Sequence, residues 1–187
     1  MKTSWKKLEH KWRKQLLAYA KGNILEVGVG VGNNFKYYPM SANVTATDMS
    51  ARVMEKAKVE AINKGIKATF IISPVEKLQL QKQYYDTIVS TFSLCAYEDP
   101  ALVLNRFNEW CKPGGLILLL EYGLSKHNIV RWIQKKYEPL HYKRTGSHID
   151  RDIRSIISVS GLQIKRVEVK YLGTVYLIWA SLVPKPI

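Results

Sequence analysis

From residue 23 to residue 32 the chain reads Asn-Ile-Leu-Glu-Val-Gly-Val-Gly-Val-Gly. Asn23–Val27 has the apolar content of a buried strand, and the three alternating glycines after it let the backbone turn tightly and approach a ligand closely. A strand that ends this way belongs in an open parallel sheet, where ligands bind at the carboxyl ends of the strands beside the switch point.

The remaining pattern agrees. Strands are predicted at Asn43–Thr47, Ala68–Ile72, Tyr85–Ser90 and Leu116–Glu121. Helices are predicted over 3–21, Asn33–Tyr38 (stopped by Pro39), Ser50–Lys64 with Ser50 as N-cap and Gly65 beyond its end, and Asp99-Pro100 to about Trp110. Lys112-Pro113-Gly114-Gly115 reads as a turn. Two further strands, Leu162–Tyr171 and Thr174–Leu182, flank a short Leu172-Gly173 link and read as an antiparallel hairpin at the sheet edge. Ser125–Ile149 reads as a polar connection rich in basic, aromatic and His residues. The expected fold is α/β: a Rossmann-like, doubly wound, seven-stranded sheet, mostly parallel with an antiparallel C-terminal strand. It divides into a basic amphipathic helix, 1–21, and a ligand-binding domain, 22–187.

In 187 residues, 29 Lys+Arg face 15 Asp+Glu, a formal net charge of +14. Such a surplus points to an anionic partner: nucleic acid, an anionic membrane surface or an acidic substrate. Solubility alone is the bland alternative. Cys95 and Cys111 make no CxxC pair and no metal-ligand cluster with the four histidines, so no metal is expected and the reduced cytosol is the default compartment. No apolar run reaches bilayer length, and the charged N-terminus carries no apolar signal core. The expectation is a cytoplasmic protein, peripheral at the inner membrane face if it meets lipid.

The glycine spacing is G-x-G-x-G. Position 33 is Asn, where a dinucleotide fingerprint needs Gly. A ligand without a phosphate, such as S-adenosylmethionine, needs room, backbone contacts and an acceptor for its ammonium group, which Glu26 supplies directly or through water. Taken alone, the loop equally suits another ligand of a nucleotide-binding fold. Asp48 ends the second strand about 20 residues after the first glycine, where an acidic residue accepts ribose hydroxyls. Met49 would lie against a planar adenine, and the backbone amides of Val75 and Glu76 could read its edge; Pro74 has no N–H.

Ile24–Gly32, Asp48, Tyr85-Asp86-Thr87-Ile88-Val89 and Lys112-Pro113-Gly114-Gly115 resemble, as a set, the ordered motifs of class I S-adenosylmethionine-dependent methyltransferases. Within them the chain is similar to the small UbiE-like group, which includes bacterial phosphatidylethanolamine N-methyltransferases and membrane-associated thiol methyltransferases. Glu121-Tyr122-Gly123, Glu138-Pro139 and Gly146-Ser147-His148-Ile149-Asp150-Arg151-Asp152 extend the resemblance toward the lipid enzymes, with Ser147 and Asp150 in place of their Cys and Asn. Pro74 stands where the family often has an acidic residue. The resemblance implies S-adenosylmethionine as cofactor, held by Glu26, Gly28, Gly30, Gly32, Asp48, Met49, Val75, Glu76 and Phe92. It implies methyl transfer to a small-molecule or lipid acceptor, either a phospholipid amine or a thiol.

Such transfer is an in-line displacement that asks for alignment and exclusion of water, and for a base only if the nucleophile arrives protonated. Phe92, Ser93 and Tyr97 follow the fourth strand and should face the methyl group; each also has a simple packing role. Cys95 reads as a buried small residue. His141, Tyr142, His148 and Tyr97 are the candidate catalytic residues. Arg144 and Arg151 could hold a phosphate or carboxylate, or be ordinary surface charge. For the N-terminal helix three roles stand open: packing on the sheet as a lid, dipping Trp5 and Trp12 into a membrane with lysines on anionic head groups, or binding RNA phosphates together with Lys126–Arg144. Against RNA, Ser90-Thr91-Phe92-Ser93-Leu94 lacks the Asn/Asp-Pro-Pro-aromatic loop that holds a flipped base. A regulatory protein that binds the cofactor without catalysis is the alternative from another class.

Overall fold

Strands with apolar residues on both faces need cover on both faces, and this chain supplies it. The structure, a computed structural model, describes residues 2–183; Met1 and the last four residues of the predicted 22–187 domain lie outside them. Seven strands, β1 (Asn23–Val27), β2 (Asn43–Asp48), β3 (Lys67–Ile72), β4 (Tyr85–Thr91), β5 (Cys111–Tyr122), β6 (Leu162–Lys170) and β7 (Val175–Leu182), form one sheet in the order β3-β2-β1-β4-β5-β7-β6. β7 runs antiparallel to both β5 and β6, and the β1, β2, β3, β4 and β5 pairings are parallel. The order reverses between β1 and β4, which places the switch-point crevice at their carboxyl ends.

Alternate residues along each strand feed two cores. Ile24, Val89, Leu118, Leu120 and Leu177 pack with Trp12, Leu16, Leu17 and Met54 beneath helices α1 (Lys2–Leu17) and α2 (Ala51–Lys64). Leu25, Ile88, Ile117, Leu119 and Ile178 pack with Leu104, Phe107, Trp110 and Ile157 of α3 (Pro100–Trp110) and α5 (Ile153–Ser158). Asp99 caps α3 by accepting from the Leu102 amide at 2.9 Å, and Gly65 closes α2 in the left-handed conformation at φ 64°.

Several expectations are corrected. The first helix stops at Leu17 rather than 21, and the Asn33–Tyr38 helix shrinks to a 3-10 turn at Phe35–Tyr37. Too few residues separate the glycine loop from β2 for a full helix, so Phe35 plugs the core directly. Ser50 sits at the N-cap of α2 but its hydroxyl caps nothing. The Lys112–Gly115 turn is absorbed into β5 as an irregularity, because the β4 register slips between Tyr85 and Thr87 and the extra residues bulge out. Ser125–Ile149 is mostly helix: α4 spans Asn128–Thr145, with Pro139 inside it.

Candidate active site

The crevice is lined first by the glycine loop. Gly28, Gly30 and Gly32 all have positive φ (73°, 55° and 81°), but they face different surroundings. A Cβ at Gly28 would stand 2.6 Å from the Ser93 Cβ and 3.2 Å from the Tyr97 hydroxyl, and one at Gly32 would strike the Phe35 ring at 2.8 Å. At Gly30 it would meet nothing within 4 Å. Gly28 therefore lets the β1 and β4 exits close on each other, Gly32 lets the loop pack on Phe35, and Gly30 opens onto free space.

Asp48 ties the loop to β2. Its Oδ2 accepts from the Gly30 amide and its Oδ1 from the Ser50 amide, both at 2.9 Å. A carboxylate oxygen accepts two hydrogen bonds, so each keeps a lone pair for a further donor such as a ribose hydroxyl. Met49, the next residue, is 72% exposed, an uncovered apolar side chain on which a planar ring would lie. Val75 is buried and Glu76 exposed at the start of a 3-10 turn, Val75–Lys77. The first amides of such a turn have no acceptor within it.

Two buried carboxylates stand at the mouth, one on each face of the sheet. Glu26, on the α1 side, accepts from the Asn34 amide nitrogen and the Tyr38 hydroxyl, both at 2.8 Å. Arg13 of α1 reaches into the same cluster and donates to Asn34 Oδ1 at 2.6 Å and Thr91 Oγ1 at 2.7 Å, while also pairing with Glu9. Burial pushes the Glu26 carboxyl up to about 7, against the hydrogen bonds of Tyr38 and Asn34 and the Arg13 charge. On the other face, Glu121 Oε1 accepts from the Ser90 hydroxyl at 2.7 Å and the Ser93 amide at 3.3 Å. Its Oε2 is buried with no partner among the described residues. Burial raises this carboxyl to about 7 as well.

The exit of β4 bends sharply between these groups. Phe92 takes a left-handed φ of 54°, a strained choice for a side chain, and its ring packs on Tyr122 at 4.6 Å with the Arg13 guanidinium 5.4 Å away. Burial, together with the charges of Glu121, Asp48 and Glu76, holds the Tyr97 phenol above its ordinary value, so it stays a neutral donor. Burial and the Glu121 charge push the Cys95 thiol up to about 12, which keeps it protonated at neutral pH.

The 146–151 loop closes the far side. The His148 amide donates to the Cys95 carbonyl at 2.7 Å, and Arg151 donates to the Leu94 carbonyl at 2.9 Å. His148 Nδ1 lies 2.7 Å from Glu138 Oε1, and the other Glu138 oxygen accepts from the Ile149 amide at 2.9 Å. A carboxylate only accepts, so Nδ1 carries the proton and Nε2 remains a potential base. Tyr142 stacks on the His148 ring at 4.5 Å, and His141 Nε2 meets Ser147 Oγ at 3.2 Å. The structure thus gathers His141, Tyr142 and His148 into one cluster and joins it to the β4 exit, where Tyr97 stands beside Gly28. Arg144 is exposed on α4, away from these bonds.

Sequence reasoning gave no site role to Arg13, Asn34, Glu121 or Glu138. Glu121 and Glu138 stand in the sequence motifs, but their bonds to Ser90 and His148 span 31 and 10 residues. Asp86 and Lys112 pair at 2.6 Å beside Gly22 and Asn23, at the amino end of the sheet. Those motif residues therefore hold the strands together at the end opposite the crevice.

A sequence-family model described as a methyltransferase domain matches residues 25–119, the glycine loop through β5. The chain belongs to the class I S-adenosylmethionine-dependent methyltransferases. It is 32% identical to the mitochondrial methyltransferase OMS1 of Saccharomyces cerevisiae, over 91% of this chain and 40% of that protein. It is 34% identical to the thiol S-methyltransferase TMT1B of Mus musculus, over 64% of this chain and 53% of that protein. The chain therefore spans about half the length, or less, of these relatives. A solved S-adenosylmethionine-dependent methyltransferase from Aquifex aeolicus shares the fold at a TM-score of 0.67 and 17% identity, covering 93% of this chain and 89% of that one. S-adenosylmethionine, the cofactor this methyltransferase family implies, fits the crevice on three counts: the free space at Gly30, the spare lone pairs of Asp48 and the bare side chain of Met49.

Proposed function

We propose that the chain transfers a methyl group from S-adenosylmethionine to a small-molecule or lipid acceptor, a thiol or a phospholipid amine. The observation that carries this reading is the pairing of an open cofactor crevice at Gly30 and Asp48 with a histidine-bearing loop fixed to the β4 exit by the His148–Cys95 bond.

When bound, the cofactor supplies a methyl group already activated on a sulfonium. This chain's residues then have three tasks. Asp48 would accept from the ribose hydroxyls, Met49 would cover the adenine, the Val75 and Glu76 amides would be available to its edge, and Glu26, in its ionised form, would set the negative potential for the ammonium end. Helix α1, pinned through Arg13 to Asn34 and Thr91, closes the α1 side of the crevice against water. Tyr97 and His148 flank the acceptor: the phenol donates a hydrogen bond, and Nε2 of His148, oriented by Glu138, takes the proton that a thiol or ammonium must lose before attack. A thiol gains most from such a base because only its thiolate is strongly nucleophilic. The named activity of the mouse relative favours that acceptor, and the lipid-enzyme resemblance of 146–152 favours the amine.

The test offers methyl-labelled cofactor with a panel of lipophilic thiols, total phospholipid and total RNA. Label in thiol or lipid, lost in Asp48→Ala, supports the reading. Label in RNA alone, or in none of them, overturns it.

A further inference from the structure

Trp5 and Trp12 are used for packing. Trp12 is buried, and Trp5 stacks against Tyr122 at 6.4 Å and meets Tyr171 edge-on at 4.9 Å. Among the described residues the exposed tryptophan is Trp132, on α4. Ile129, Trp132, Ile133 and Leu140 recur at the spacing of one helical face, and Ile129 is 77% and Trp132 62% exposed. Gln134 is the one buried residue of α4. It donates to the carbonyls of Gly123 and Ile149, and with Glu138 it turns the polar side of the helix inward. The apolar side is the one left outside.

The rim of this stripe carries one sign of charge. Lys135 and Arg144 flank it, Lys126 precedes the helix, and Lys136 and Lys143 stand within its span on long stems that carry the ammonium past the apolar surface; all five are exposed, and Lys136 Nζ lies 5.0 Å over the Trp132 ring. Glu138, the sole acidic residue of α4, is engaged by His148 and the Ile149 amide on the inner side. An apolar stripe framed by cations on a protein of net charge +14 matches a surface that is apolar beneath and anionic on top. A second copy of the chain would bring one basic rim against another. Nucleic acid would use the cations and leave the apolar stripe exposed to water.

We infer that α4 is an interfacial helix that docks the protein on an anionic lipid bilayer, its Trp132–Ile133–Leu140 face entering the boundary between head groups and acyl chains. This places the contact on α4 rather than on α1. The same helix holds the 146–151 loop by its inner face, which sets that loop about one helix diameter behind the bilayer surface.

Sedimentation with vesicles of phosphatidylcholine, with and without phosphatidylglycerol, tests the docking. Brominated acyl chains then report tryptophan depth. The wild type is expected to sediment with the anionic vesicles at low salt, to be released at high salt and to be quenched by the brominated lipid. Trp132→Phe should remove most of the quenching. Ile133→Ser with Leu140→Ser should weaken partitioning at least tenfold, given the transfer free energies of two such side chains, with melting midpoint and cofactor binding unchanged. Wild type left in the supernatant at low salt, quenching that survives in Trp132→Phe, or vesicle binding abolished by Lys7→Gln with Lys11→Gln on α1 but untouched by the α4 pair would overturn the inference. Methyl transfer to a soluble thiol is read separately, so docking can fail while the proposed function stands.

Discussion

Replacing Glu121 with glutamine isolates the cost of a charge that the fold strands at the end of β5. One oxygen of Glu121 is satisfied by Ser90 and Ser93, and the other is buried without a partner among the described residues. Burial raises the carboxyl from 4.5 to about 7. The folded value lies above the unfolded one, so the stability this group supports is fully present below about pH 4.5. It is lost as the pH rises toward 7, where the unfolded chain is already ionised and the native site is not. Each tenfold difference in proton affinity between the folded and unfolded chain is worth about 1.4 kcal/mol, so the full penalty is about 3 kcal/mol at pH 8 and above. Glutamine keeps the shape and an acceptor oxygen and never ionises. Relative to wild type, Glu121→Gln should therefore gain little at about pH 5 and about 3 kcal/mol at about pH 9. At roughly 2–4 °C per kcal/mol for a chain of this length, that is a rise of about 6–12 °C in melting midpoint. Glu26 titrates in both proteins and largely cancels from the difference. Thermal unfolding of the two proteins at matched ionic strength across this pH range is the assay. A difference that does not change with pH would refute the reasoning, because it would mean that Glu121 is not held neutral by the fold.

Arg13→Ala removes the link from α1 to Asn34 and Thr91; breaking a largely buried charged network should cost about 3 kcal/mol, read by urea denaturation. Gly30→Ala should cost only about 1 kcal/mol of backbone strain yet weaken cofactor binding, whereas Gly28→Ala, which collides with Ser93, should lower the melting midpoint by much more; equal midpoints would contradict the assignment of Gly30 to the ligand side. His148→Ala should reduce kcat toward a thiol about 100-fold with the cofactor KM unchanged, and Glu138→Gln, which loosens the hold on the His148 ring, should lower kcat by a smaller factor; full activity in both variants would remove the pair from catalysis.

The sheet was legible because its residues say two things at once. Ile24–Val27 is apolar enough to be buried on both faces, and the glycines after it can only end a strand. Asp99-Pro100 and Gly65 mark helix ends by local chemistry, which needs no tertiary context. The α4 helix was not legible in that way. Its apolar residues point outward, its inward face is made of Gln134, Glu138 and His141, and Pro139 interrupts it, so the pattern that normally marks a core-facing helix is inverted. The N-terminal helix misleads in the opposite sense: its basic residues suggest a surface role for Trp5 and Trp12, which the fold uses for packing.

The site divides along a similar line. Gly28, Gly30 and Asp48 announce themselves by spacing, because one loop and the next strand end must meet across a parallel pair. Arg13, Glu121 and Glu138 act through partners 78, 31 and 10 residues away, and such pairings are created by the topology. His148 was visible as a titratable residue in a polar stretch, but its orientation by Glu138 emerges only when α4 is a helix and the following loop folds back onto Cys95.

Calorimetric titration of the protein with S-adenosylmethionine, beside Asp48→Ala and Asp48→Asn, tests the central claim most directly. One site per chain is expected in the wild type. Two charge-assisted bonds from Asp48 to the ribose hydroxyls, at about 1.5–3 kcal/mol each, make Asp48→Ala weaker by about 10²-fold or more, and Asp48→Asn, which keeps one acceptor oxygen, falls between. No heat of binding with a folded wild type, or equal affinity in all three proteins, would contradict it.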